Sequence, residues 1–140
     1  MDWFTIIQSI GIISGLIFTA YALLSTRKGQ RVATLLQITQ YHREIWGRLF
    51  DFPELQRVLD PKVDIKHHEI TAREKLFVSL IILHLSCVLE AASAGIMVPL
   101  EQLQKDIQDF FSLPIPKQVW ADMRKYQNQN LIGFVEQSLR

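Results

Sequence analysis

Residues 71–95 read TAREKLFVSLIILHLSCVLEAASAG. Thr71-x-x-Glu74 is a capping box: the threonine hydroxyl serves the backbone N–H of Glu74, and the Glu74 carboxylate reaches back. A helix therefore starts at Ala72. From Leu76 to Leu89 the run is nearly all apolar, broken by Ser79, His84 and Ser86. Fourteen helical residues rise about 21 Å, short of a bilayer core of about 30 Å. The stretch reads as the buried central helix of a small bundle, with Leu83 in the core. A second membrane span or a re-entrant segment is the rival reading. Gly95 ends the helix as a left-handed cap.

Outward from this helix, every pattern is helical. Downstream, Pro99 opens a helix in which Leu100, Leu103, Ile107 and Phe110 repeat with 3-4-3 spacing. Ser112 to Pro116 breaks it, and the two prolines there are expected to fix an extended turn. Val119, Trp120, Met123 and Tyr126 mark a further helix, with Trp120 in the core. Asn128 or Asn130 caps a last one that turns Leu131, Phe134, Val135 and Leu139 inward. Upstream, Pro53 fits the first turn of a short helix that ends before Asp60-Pro61. Before it, Leu35, Ile38, His42, Ile45 and Leu49 are spaced 3-4-3-4, a seam of coiled-coil type that also suits subunit assembly. No stretch alternates as a strand would, and no internal repeat is found.

The N-terminus is different. Asp2 is the only charged residue before Arg27, and Trp3 to Leu24 is 22 residues without a charge. As a helix it rises about 33 Å, enough to cross a bilayer. A cleaved secretory signal is the competitor, but its leading region should be basic, and Asp2 stands there. Arg27, Lys28 and Arg31 follow the run at once. By the positive-inside rule they place the N-terminus outside and the rest of the chain in the cytoplasm. Gln8, Gly11, Gly15, Thr19 and Ala22 share one small, polar face. Bulky isoleucines take the opposite face. Gly11-x-x-x-Gly15 admits a close neighbour helix, and Gln8 can hydrogen-bond across the contact. Self-association follows, and a water-lined pore is its special form.

The expected class is all-α: a transmembrane helix with its basic stop over 1–28, then a cytoplasmic helical domain over 29–140. The helical pattern that carries the seam runs from about Gln30 to Phe50, so only Gly29 separates it from the span and the two can form one long helix with a soft joint. The 140 residues hold 15 Lys/Arg and 14 Asp/Glu, net +1. So even a balance excludes a nucleic-acid binder that works by gross positive charge. Composition is 49% hydrophobic, which excludes a chain that is mainly disordered. One cysteine, Cys87, rules out an internal disulfide framework.

Chemistry is sparse. His67-His68-Glu69 sits in a polar loop and lacks the convergence a metal needs. His84 lies in the apolar helix and reads as a core histidine bonded to a neighbour. His42 in the seam reads as an exposed or satisfied histidine, with fixing of register or oligomer number as the rival reading. Cys87 has only Glu90 as a charged neighbour within one turn, and a carboxylate disfavours a thiolate. No phosphate-binding glycine loop, nucleophile elbow or zinc-protease motif occurs. No catalytic residue, metal or cofactor is expected.

Three segments carry a resemblance: Tyr41-His-Arg-Glu-Ile-Trp46, Phe52-Pro-Glu-Leu55 with Val58-Leu59, and Phe111-Ser-Leu-Pro-Ile-Pro-Lys-Gln-Val-Trp120. With the layout, they resemble small bacterial inner-membrane proteins that have one N-terminal membrane helix and a helical cytoplasmic domain. The layout is also similar to membrane accessory effectors of antiphage and CRISPR systems. That similarity implies a homo-oligomer without enzymatic activity, set in the bilayer and perturbing it, in antiviral defence. Its alternative is a tethered scaffold for a cytoplasmic protein partner. The R-x-x-x-x-H nuclease motif of some such effectors is absent, since no arginine lies five positions before any histidine.

Overall fold

A computed structural model describes residues 3–96 and 99–140, with side chains from residue 11 onward. The elements are α1 (Trp3–Asp51), a 3-10 helix (Pro53–Leu59), α2 (Ala72–Ser93), α3 (Leu100–Phe111), α4 (Pro114–Met123), a 3-10 turn (Arg124–Tyr126) and α5 (Gln129–Ser138). The class is all-α, with no strand among the described residues. The chain divides into two units, residues 1–36 and residues 37–140.

In the first unit α1 is helical through Gly29. Every large hydrophobic residue from Ile12 to Leu24 is 57–73% exposed. Thr19 Oγ1 donates to the Gly15 carbonyl at 2.8 Å, and Thr26 Oγ1 to the Ala22 carbonyl at 2.9 Å. Each hydroxyl is thus satisfied inside its own helix. A Cβ added at Gly11 or Gly15 meets nothing within 4 Å.

In the second unit the core forms between α2, α3, α4, α5 and the 3-10 helix, with the end of α1 adding Ile38 and Leu49. The α2 start is the expected capping box: Thr71 Oγ1 accepts from the Glu74 N–H, and Glu74 Oε2 accepts from the Thr71 N–H. Glu74 is 3% exposed and pairs with Arg57 on the 3-10 helix. Arg57 also donates to the carbonyls of His68 and Glu69, tying the polar loop to both helices. Gly95 takes φ 67°, the left-handed cap. Asn128 caps α5, its side chain accepting from the Leu131 N–H at 2.7 Å.

Three expectations need correction. Leu83 is 62% exposed, whereas its neighbour Ile82 is 1% exposed. At 100° per residue, the buried Glu74, Phe77, Val78, Ile82, Val88, Leu89 and Ala92 fall on one half of α2. Leu76, Leu83 and Cys87 fall on the other. Pro114 and Pro116 do not fix an extended turn. They stand in the first turn of α4, where a missing N–H costs nothing and a fixed φ suits the helix. Leu139 is 42% exposed, because it lies past the end of α5, while Leu131 and Val135 are fully buried. Trp120 is buried as expected, its ring 5.1 Å from that of Phe111.

Among the described residues, one helix is long and apolar enough to cross a membrane by length and composition: Ala72–Ser93, with 33% of its apolar window buried. Its buried face is spent on the core, and the Glu74–Arg57 pair anchors its first turn. Its other face, with Leu76, Leu83 and Cys87, is exposed.

Candidate functional site

The second unit holds a cavity of about 490 Å³ between the end of α1, α2 and α3. Its wall is apolar. Ile38, Ile45 and Leu49 come from α1, Phe77, Ile81, Leu85 and Val88 from α2, Leu103 and Phe110 from α3, and Leu59 from the 3-10 helix. The local cause is helical spacing. Ile38, His42, Ile45 and Leu49 share one face of α1, so the seam seen in the sequence becomes the roof of a pocket. Ile38 and Leu49 are buried within this chain, and Ile45 is half-buried. Leu35, also half-buried, belongs to the other unit.

The polar groups are few: Thr39, His42, Trp46, His84 and Asp106. Trp46 Nε1 donates to His42 Nε2 at 2.8 Å. That bond leaves the His42 proton on Nδ1, by the logic of a neutral imidazole. The His84 ring centroid is 5.5 Å from that of His42. Burial holds the His84 pKa below its usual value, and the nearby His42 lowers it further. Asp106 Oδ1 accepts from Gln102 Nε2 at 3.0 Å. No lysine or arginine lines the cavity.

Sequence reasoning singled out His42 and His84 separately but did not join them. Forty-two residues separate them, and only packing of α1 on α2 brings their rings together. Asp106 was missed; it stands at the edge of the apolar face of α3, next to Leu103 and Phe110, and carries no motif. Elsewhere, His67 Nδ1 contacts Asp64 Oδ2 at 2.5 Å in the exposed loop, and the hydrogen bond to His67 holds the Asp64 carboxyl below its usual pKa. Cys87 is exposed on the outer face of α2. No group of three His, Cys, Asp or Glu converges to hold a metal among the described residues.

The expected membrane face falls in the first unit. Gly11, Gly15, Thr19 and Ala22 are exposed along α1, as are Arg27, Lys28 and Arg31. The side chain of Gln8 lies outside the described residues. Comparison with protein-family models, curated proteins and solved structures returns no match.

Proposed function

We propose that the chain is a membrane-anchored binding protein of the bacterial inner membrane that self-associates and has no enzymatic activity. Its anchor is α1 from Trp3 to Leu24, with the N-terminus outside and residues 37–140 in the cytoplasm. One observation carries the reading. From Ile12 to Leu24 the first unit exposes eight large hydrophobic side chains, and no charge interrupts the run between Asp2 and Arg27. In water, on the order of 10 kcal/mol of apolar burial is left unrealised. Lipid supplies that burial, and the Thr19 and Thr26 hydroxyls, bonded to carbonyls of their own helix, lower the polar cost. The open surface at Gly11 and Gly15 suits close approach of an identical helix. A pore and the antiphage setting rest on the layout alone.

Alkaline carbonate extraction of cell membranes tests the anchor. The full chain is expected in the pellet, and a reporter fused after Arg140 is expected to be active only in its cytoplasmic form. Release of the chain by carbonate, or activity of a periplasmic reporter, overturns the reading.

A further inference from the structure

The cavity of the second unit has a size and character that the anchor does not explain. Its volume is about 490 Å³, in the ordinary range for small-molecule sites. An apolar wall of this kind excludes molecules rich in hydroxyls, because each unpartnered polar group would be costly to bury. The lining contains no lysine or arginine to pair with a carboxylate or phosphate, and the Asp106 carboxylate opposes any anion. A cation would find a single carboxylate, already bonded to Gln102. What the lining does offer is one polar patch. Trp46 fixes the His42 ring through its Nε2, so Nδ1–H is left to donate, and His84 stands opposite with a ring that can donate and accept.

We propose that this cavity binds an uncharged apolar molecule bearing one hydroxyl or carbonyl group, its body among Ile45, Ile81 and Val88 and its polar group at His42 and His84. This stands whether or not the membrane anchor does, since every lining residue lies in the second unit.

The test uses the full chain in lipid nanodiscs, with isoleucine methyl groups observed by NMR. Three probes share one ten-carbon body: 1-decanol, decanoate and decylamine, compared at equal free concentration at pH 7.5. Decanol is expected to shift the Ile45 and Ile81 methyls saturably while Ile115, in the core on α4, stays put. Decanoate and decylamine are expected to bind at least tenfold more weakly. Ile81→Phe fills the cavity and is expected to abolish the decanol response, with an unmoved Ile115 signal reporting an intact fold. His84→Leu removes one polar partner and is expected to weaken decanol several-fold without closing the pocket. No saturable shift with decanol overturns the proposal. So does decanoate or decylamine binding as tightly as decanol, or a full decanol response in a folded Ile81→Phe protein.

Discussion

Replacing Arg57 by methionine removes the cation that pairs with the buried Glu74 carboxylate. In the intact protein Arg57 Nη1 reaches both Glu74 oxygens at 3.0 Å, and the guanidinium also holds the carbonyls of His68 and Glu69. Glu74 is 3% exposed, so after the change its charge stays in the core with only the Thr71 N–H, at 2.7 Å, to stabilise it. Breaking a buried pair from one side costs about 3–5 kcal/mol. Arg57 is 26% exposed, so water reaches its side of the pair and the lower end applies: about 3 kcal/mol. Glu74→Gln keeps an oxygen for the capping box and loses only the charge, which is expected to cost about 1–2 kcal/mol. The two changes share one contact, so Arg57→Met with Glu74→Gln should cost less than the separate losses together. Urea unfolding followed by circular dichroism measures all three. A loss below about 1 kcal/mol for Arg57→Met, or strict additivity in the double variant, refutes the reasoning, since both outcomes require a carboxylate that water already serves.

Other outcomes follow from the same packing. Ile82→Ala should destabilise the protein by about 2–5 kcal/mol, and Leu83→Ala, one residue on, by no more than about 0.5 kcal/mol, both read from urea midpoints. Reversal of that order would place α2 the other way round. The His84 pKa lies below its usual value near 6.5, so the unfolded chain binds the proton first as pH falls. The stability tied to neutral His84 is therefore complete above about pH 6.5 and declines as pH drops toward the lowered folded value. Melting temperatures from pH 7.5 to 5 should fall less steeply in His84→Gln than in the native chain. Equal slopes would remove His84 from the acid response.

Local signals in the sequence were dependable. The capping box at Thr71 and Glu74, the left-handed Gly95 and the cap at Asn128 are each set by atoms a few residues apart. The orientation of α2 was harder to read. When Leu76 to Leu89 is almost all apolar, hydrophobicity cannot choose a face. The polar exceptions do not settle it either: Ser79 Oγ contacts Met123 Sδ and Ser86 Oγ accepts from Asn128 Nδ2 at 3.1 Å, so both serines face the α4–α5 side, while Glu90 is exposed. The prolines at 114 and 116 were read as breakers, although a proline in the first turn opens a helix. The cavity was not legible at all. It depends on α1, α2 and α3 meeting, and His42, His84 and Asp106 share no spacing that a linear pattern could reveal.

Assembly in the membrane is tested most directly by the mass of the detergent-solubilised full chain, measured by light scattering. The native protein is expected at a multiple of 16.3 kDa after subtraction of detergent. Gly15→Leu fills the open face beside Thr19 and should shift it to smaller species, while Ile13→Leu should leave the mass unchanged. A native chain that runs as a monomer at every concentration, or a Gly15→Leu variant that keeps the full assembled mass, contradicts self-association through this face.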